Sequence, residues 1–387
     1  MHRLPTGLRL LHNTSPASRG PRRVMAQTLP KLPDWEQIST NIVRILGGNP
    51  SKFTLQGTNT YLLGNGPRRI LIDTGAGEKK WIDTLRTVLT SQGKPITVST
   101  CLLTHWHHDH LGGVTDLEKL CEELNQPGGG EVKVYKNQPT WNPDGLIDPS
   151  RVHNIEDGQT FSIPLSEDPS APSLEIQAIH TPGHAKDHMV FQITSSPDPA
   201  EVGALFTADN VLGHGTAVFE DLHLYLQSLD LMKKRVSDAV AAQQQQEGRG
   251  GGEGSKRAFP GHGAVIQDAV TKIDEYIAHR RMREEEALNV LKHGTTTPPN
   301  SSEPLVHDSI TRVGDGEDEA VIGGGETVLG KEWESIEMVK VIYRHYPENL
   351  WQPAENGLLM VLEKLRRDGK VVKTKEARWR VSEKAIL

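Results

Sequence analysis

LLTHWHHDHLGG, residues 102–113, places four histidines and one aspartate within six consecutive positions. The preceding run ITVSTCLL (96–103) is apolar and β-branched, which is typical of a buried strand. Two glycines follow the polar cluster, and residues 113–126 then repeat apolar side chains at helical spacing. The polar cluster is therefore predicted to lie in a loop between a strand and a helix, at the C-terminal end of the strand.

The spacing within this loop favours a metal site. His105 and His107 are two residues apart and can point the same way from extended backbone, whereas Asp109 and His110 lie where the chain turns. Neutral imidazole and carboxylate suit Zn²⁺, Mn²⁺ or Fe, and a chain with only two cysteines argues against a structural thiolate zinc site. The alternative is a histidine-rich loop that binds nothing.

Three further polar residues stand at predicted strand ends elsewhere in the chain. His184 lies in TPGH, Asp209 lies just after an apolar run in LFTADN, and His262 lies between glycines in PGHG. Glycine lets the backbone approach a metal closely. A single buried histidine or strand-end aspartate is a weak signal, but together these positions predict the remote ligands that the loop needs.

Predicted strands alternate with predicted helices, which favours an α/β layered core. The strands are expected at 68–75, 96–105, 132–136, 174–180, 188–194 and 203–207, and the helices at 78–93 and 113–126. Two amphipathic helical segments and an alternating ribbon close the chain. This order predicts a small C-terminal winged-helix-like domain.

Composition shifts along the chain predict its organisation. The expected parts are a disordered or presequence-like N-terminus at 1–30, an α/β domain at 31–292 with a disordered Gln/Gly-rich insertion at 243–257, a linker at 293–330, and the winged-helix-like domain at 331–387.

Charge and composition exclude several classes of protein. The net charge of −7 offers no global basic surface to nucleic acid or anionic membranes. No apolar run reaches the roughly 18–20 residues of a membrane helix, so no membrane partner is expected. Two cysteines exclude a disulfide scaffold and favour a reducing compartment such as the cytoplasm.

The first 25 residues suggest a second location. They contain five arginines and no acidic residue, as mitochondrial presequences do, which would place the protein in the mitochondrial matrix. The competing interpretation is an untargeted extension upstream of a start at Met25.

THWHHDHLGG, TPGH, FTADN and PGHG, in this order and preceded by LIDTG, resemble the metallo-β-lactamase superfamily over roughly residues 40–290. The resemblance implies an αββα sandwich with a dinuclear metal centre at one edge, most simply two Zn²⁺ ions per chain, with Mn²⁺ or Fe as alternatives. It also implies the ligands: His105, His107 and His184 for the first metal, Asp109, His110 and His262 for the second, and Asp209 bridging both. His108 and Trp106 occupy the variable positions of the motif.

Such a ligand set predicts a hydrolase, because a metal centre of this kind activates water. Asp109 has a second carboxylate oxygen, and we assign it to orient that water and accept its proton. Asp73, at the end of its strand, is expected to orient a ligand histidine rather than to bind metal. His188 either contacts the substrate or donates a proton, or else is a hydrogen-bonded loop histidine.

A narrower resemblance concerns the bond that is broken. GGNPSKFTLQGTNTYLLG (47–64), DNVLGHGTAVFEDL (209–222) and YIAHRRMREEEAL (276–288) look like the lactamase-like subgroup with a C-terminal winged-helix-type extension. Fungal members of this subgroup are thioesterases that release a polyketide from the acyl carrier protein of a synthase. Animal mitochondrial members are endoribonucleases that act on single-stranded RNA.

We favour a thioesterase of polyketide biosynthesis whose partner is an acyl carrier protein, because a thiolate leaves readily without a strong dedicated acid. The alternative is a zinc-dependent endoribonuclease acting on single-stranded RNA. A basic patch between Lys364 and Lys384, with Trp379 inside it, would suit RNA phosphate, an acidic carrier protein or solvent alone. A small-molecule acyl or lactone hydrolase and a non-enzymatic adaptor that uses only the tail remain further alternatives.

Overall fold

The computed structural model describes residues 29–91, 96–124, 131–166, 168, 170–247, 255–297 and 330–383. Its α/β core contains two sheets that face each other. The strands of the first sheet, in spatial order, are β1 (Trp35–Ser39), β2 (Ile42–Leu46), β3 (Asn59–Leu63), β4 (Arg68–Ile72), β5 (Thr97–Leu103), β6 (Lys133–Lys136) and β7 (His153–Asn154). Those of the second are β8 (Thr160–Pro164), β9 (Ser173–His180), β10 (Met189–Ser195), β11 (Leu205–Ala208) and β12 (Ala258–Pro260), with β12 at one edge.

Helices cover the outer face of each sheet. Their bounds are α1 (Lys79–Thr90), α2 (His108–Leu111), α3 (Val114–Leu124), α4 (Leu222–Glu247), α5 (Ala269–His293), α6 (Ser335–Ile342) and α7 (Trp351–Arg367). Helices α1 and α3 pack on the first sheet, and α4 and α5 pack on the second. Apolar side chains from both sheets fill the space between them, so the predicted αββα sandwich is confirmed.

The direction of the strands places the loops that matter. In the first sheet β4, β5 and β6 run parallel, so their C-terminal ends lie at one edge. In the second sheet β11 and β12 are also parallel, while β9 and β10 form an antiparallel pair. Loops after β4, β5, β11 and β12 and the turn between β9 and β10 can therefore meet at one edge of the sandwich.

The C-terminal segment folds as predicted, with α6 and α7 followed by a ribbon of β13 (Val371–Lys373) and β14 (Trp379–Val381). Its apolar side chains join the same hydrophobic cluster as α4 and α5. Lys364 of α7 forms a 2.6 Å ion pair with Glu284 of α5, and both side chains are largely buried. The small domain is therefore packed against the helical layer of the second sheet.

The structure differs from the expected disorder at both ends of the predicted insertion. Residues 243–247, predicted as the start of a disordered insertion, continue α4. Glutamine is a good helix former and the preceding alanines are the best, so the helix extends into the polar run. Residues 255–257 at the other end are also ordered, since Ser255 is buried and the carbonyl oxygen of Arg257 accepts from the N–H of Leu205 at 3.1 Å. Residues 248–254 of the insertion, 1–28 of the N-terminus and 298–329 of the linker lie outside the described residues.

Among the described residues, no helix combines the length and the apolar character that crossing a bilayer would need.

Candidate metal centre

The loops at this edge bring together all seven residues that the sequence selected as ligands. The histidine-rich loop follows β5, and its second half forms the short helix α2. The remote residues arrive from the turn before β10, from the end of β11 and from the end of β12. They form two groups, His105, His107, His184 and Asp209 in the first and Asp109, His110 and His262 in the second.

In the first group three imidazole nitrogens converge. The Nε2 atom of His105 lies 2.9 Å from Nδ1 of His107 and 3.2 Å from Nε2 of His184. Nε2 of His184 and Nδ1 of His107 are 3.1 Å apart. The three nitrogens thus form a compact triangle, the arrangement that three ligands of one tetrahedral ion require.

In the second group Nε2 of His262 lies 3.2 Å from Oδ2 of Asp109, and Nε2 of His110 lies 3.6 Å from the same oxygen. Asp209 contacts both groups. Its Oδ1 is 3.3 Å from Nε2 of His110, and its Oδ2 is 3.3 Å from Nε2 of His262 and 3.6 Å from Nε2 of His184. Among the seven residues, this carboxylate is placed where a bridge between two ions would be.

Asp73 sets the orientation of one histidine in each group. Its Oδ2 accepts hydrogen bonds from Nδ1 of His110 at 2.8 Å and from the Thr104 hydroxyl at 2.9 Å. The Thr104 hydroxyl has only one proton to give, so its oxygen accepts from Nδ1 of His105 at 2.9 Å. Both histidines therefore carry a proton on Nδ1 and direct Nε2 into the centre. Against the effect of burial, Asp209, Asp109 and Asp73 raise the pKa of His110 well above its ordinary value.

His184 is oriented in the same sense by the backbone. Its Nδ1 donates to the carbonyl oxygen of Val218 at 2.8 Å, which leaves the lone pair on Nε2. Two lone pairs, on His105 and His184, then face each other with no proton between them. The Nε2 of His110 and Oδ1 of Asp209 are likewise buried without a hydrogen-bond partner. Buried acceptors that face one another need a cation, so these residues fit a metal centre.

The electrostatics of the two groups differ. Burial and the neighbouring His184 lower the pKa of His107 to about 4, so this imidazole is neutral and available as a ligand. Burial would also lower the pKa of His262, but Asp209 and Asp109 outweigh it and raise that pKa to about 9. The carboxylate-rich second group thus attracts positive charge, which a proton supplies when no metal is bound.

His188 is completely buried and both of its ring nitrogens are engaged. Its Nε2 accepts a hydrogen bond from the backbone N–H of Asp209 at 3.2 Å, so its Nδ1 carries the proton and donates to the Thr181 hydroxyl at 2.9 Å. This placement favours the hydrogen-bonded histidine over a substrate contact. The residue holds the backbone of Asp209 in place.

Sequence analysis did not identify two polar side chains in this arrangement. Thr104 relays the orientation from Asp73 to His105, and Thr58 donates to Oδ2 of Asp109 at 3.4 Å. Thr104 directly precedes the histidine-rich loop, but a threonine at a strand end is too common to be recognised as functional. His108, which occupies a variable position of the motif, is exposed.

A buried ion pair lies beside the candidate metal centre. Nζ of Lys136, at the end of β6, is 2.5 Å from Oδ2 of Asp187, and neither side chain is exposed to solvent. Lys136 also donates to the carbonyl of Trp141 at 2.9 Å. The pair therefore links the loop after β6 to the turn that carries His184.

Gly261 in PGHG has no room for a side chain. A Cβ at this position would lie 2.3 Å from Oδ1 of Asp209 and 3.0 Å from Cε1 of His110. We therefore expect Gly261→Ala to displace Asp209 and to lower metal affinity by about 10–100-fold, the usual cost of disturbing ligand support. Competition titrations with a chelator measure the metal affinity of each variant. Gly357→Ala, in α7 where a Cβ meets nothing within 4 Å, is the control. Equal metal affinities in the two variants would contradict the steric argument.

Comparison with known families agrees with this architecture. Residues 53–242 match the metallo-beta-lactamase superfamily, and residues 335–379 match the beta-lactamase associated winged helix domain. Among solved structures, a beta-lactamase domain protein from Burkholderia ambifaria superposes with a TM-score of 0.59 at 16% identity, covering 92% of this chain and 98% of that one. The resemblance at this identity concerns the fold alone.

Two relatives span different shares of the chain. The atrochrysone carboxyl ACP thioesterase of Passalora fulva is 39% identical over 69% of this chain and 66% of its own length. The beta-lactamase-like protein 2 homolog of Drosophila melanogaster is 34% identical over 89% of this chain and 94% of its own length. The chain spans slightly less than two thirds of the length of several fungal relatives, at 65–66%.

Proposed function

The chain belongs to the metallo-β-lactamase superfamily, and from that premise we propose that it is a dinuclear metal-dependent hydrolase that cleaves an acyl thioester on an acyl carrier protein. The observation that carries the hydrolase part is the set of inward-facing Nε2 atoms of His105, His184 and His110, each oriented by a hydrogen bond at Nδ1. The thioester part rests on the Passalora fulva relative that is named an acyl carrier protein thioesterase.

We assign one metal ion to each of the two groups of residues. His105, His107 and His184 would hold one ion, Asp109, His110 and His262 the other, and Asp209 both. Zinc suits these neutral imidazoles and carboxylates, and Mn²⁺ or Fe are alternatives. When bound, such ions lower the pKa of water and polarise a substrate carbonyl.

Asp109 is the residue that handles the proton. Its side chain is about a quarter exposed, the largest exposure among the ligand carboxylates, so it faces the substrate side of the centre. Burial would raise its pKa, but His110 and the hydrogen bond with His262 outweigh burial and hold the pKa below its ordinary value. Asp109 is thus ionised and can orient a water molecule and accept its proton. The leaving thiolate needs little further help, so no separate strong acid is required.

The alternative function is a zinc-dependent endoribonuclease on single-stranded RNA. The observation in its favour is that the Drosophila relative aligns over more of both chains than the thioesterase does, although its name states no substrate. Two features of the basic tail count against RNA binding. Trp379 is only 2% exposed and cannot stack on a base, and the exposed Arg366 and Arg367 and the half-buried Arg378 each form an ion pair with an acid.

The decisive experiment offers both substrates to the same zinc-loaded protein. One substrate is a polyketide acyl chain on its carrier protein, with the released thiol measured. The other is an end-labelled single-stranded RNA. We expect thiol release and intact RNA, with His108→Ala, which alters an exposed residue of the same loop, behaving as the wild type.

RNA cleavage without thiol release, abolished by Asp209→Ala, would overturn the thioesterase proposal in favour of the nuclease. A wild-type protein that binds no metal would overturn both.

A further inference from the structure

Helix α5 contains YIAHRRMREEEAL (276–288), a segment to which the proposed chemistry assigns no role. Tyr276 and Arg280 lie one turn apart on the same face of this helix, and both are buried, with 2% and 8% of their surfaces exposed. Both side chains contact the segment 212–219, which connects β11 to α4. The helix therefore packs a polar face against a loop that borders the metal centre.

Arg280 holds both neighbours of Val218. Its Nη2 donates to the carbonyl oxygen of Ala217 at 2.6 Å, and its guanidinium carbon lies 4.8 Å from the centre of the Phe219 ring. Val218 itself is 65% exposed, so its side chain contributes little to fixing the loop. The position of the Val218 carbonyl consequently depends on the contacts that Arg280 makes on either side of it.

Tyr276 secures the start of the same loop. Its hydroxyl donates to the carbonyl oxygen of Gly215 at 2.9 Å and accepts from the N–H of Leu212 at 3.0 Å. Tyr276 and Arg280 of α5 thus hold the two ends of the loop.

The Val218 carbonyl is the group that orients His184. It accepts the Nδ1 proton of His184 at 2.8 Å, and this hydrogen bond turns the Nε2 lone pair toward the first group of ligands. A shift of the carbonyl would rotate the imidazole or change its tautomer. The other end of the loop meets the second group, since the N–H of Gly213 donates to the carbonyl oxygen of His262 at 2.9 Å. Arg280 contacts the loop at Ala217 and Phe219, on the His184 side.

We propose that Arg280 is a positioning residue for His184, and that it sets the affinity of the first metal site through the carbonyl of Val218. The same helix is held by the C-terminal domain, since Arg283 lies over the Tyr343 ring at 5.6 Å and Glu284 pairs with Lys364. The winged-helix-like domain thereby supports one of the two metal sites. This inference rests on the proposed dinuclear centre.

The test compares Arg280→Ala with Arg281→Ala, its exposed neighbour on the same helix. Each full-length protein is loaded with two equivalents of Co²⁺, and both dissociation constants are measured by competition with a chelator while the visible spectrum is recorded. His184→Ala and His262→Ala provide reference spectra for loss of the first and of the second site. Thermal unfolding checks that each variant is folded.

We expect Arg280→Ala to weaken one ion by about tenfold, the lower end of the range for groups that support a ligand, and to reproduce the spectral change of His184→Ala. Arg280→Lys, which keeps a donor and the charge but loses the planar fork, should recover part of the affinity. Arg281→Ala should match the wild type.

If Arg280→Ala does not fold, Arg280→Lys is measured in its place, and we expect it to weaken the same ion by a smaller factor. Unchanged affinities in folded Arg280→Ala, or a spectrum like that of His262→Ala, would overturn the inference while leaving the proposed function intact. A wild type that takes up no metal would instead overturn the proposed function.

Discussion

Replacing Asp209 by alanine is expected to reduce hydrolysis by on the order of a thousandfold or more and to cost the protein at least one of its two metal ions. Asp209 is the one carboxylate among the seven proposed ligands that lies within 3.6 Å of histidines from both groups. Its removal takes the shared negative charge from both proposed sites. Nε2 of His110 also loses the carboxylate oxygen that lies 3.3 Å away.

Two measurements test this expectation. Metal analysis after dialysis gives the number of ions retained, and the thiol-release assay gives the rate. Asp209→Asn keeps the side-chain volume but removes the negative charge. If charge rather than packing holds the ions, this variant should lose metal almost as readily as Asp209→Ala. His108→Ala should retain both ions and full activity. Two tightly bound ions in Asp209→Ala would show that this carboxylate is not a bridge.

The second large effect concerns stability. Replacing Lys136 by methionine is expected to reduce the free energy of unfolding by about 3–5 kcal/mol, because it leaves the carboxylate of Asp187 buried without its cation. Neither member of this pair is exposed, and their charged atoms are 2.5 Å apart. Lys133→Met, on the exposed side of the same strand, is the matched control and should change stability by less than about 1 kcal/mol.

The penalty should depend on pH in a definite direction. Burial raises the pKa of Asp187, and Lys136 is the group that lowers it again. Without Lys136, the pKa of Asp187 in the folded protein would lie further above its unfolded value, so the folded state would bind the proton more tightly. The loss of stability should be smallest below the unfolded pKa and should increase as the pH rises through the folded pKa.

Denaturant unfolding at several pH values measures this dependence. The double variant Lys136→Met/Asp187→Leu removes both charges and should recover much of the stability. A single variant no less stable than Lys133→Met would contradict the assigned role of the pair.

Local sequence patterns determined much of this protein. The apolar run before His105 and the glycines after His110 predicted a strand, a loop and a helix, and the structure contains β5, α2 and α3 at these places. These elements are predictable because strand and helix periodicity depend on neighbouring residues. The order of the short motifs indicated the family and the seven residues that meet at the sheet edge, while their binding of metal stays a prediction.

Only the tertiary structure decided how these residues are oriented and what surrounds them. The proton on Nδ1 of His105 is set by Thr104 and Asp73, and that of His184 by a carbonyl 34 residues away at Val218. The sequence left His188 open between two roles, and the packing of Thr181 and Asp209 around it favours one. Hydrogen-bond partners distant in sequence meet only when the two sheets pack, so no local pattern could identify them.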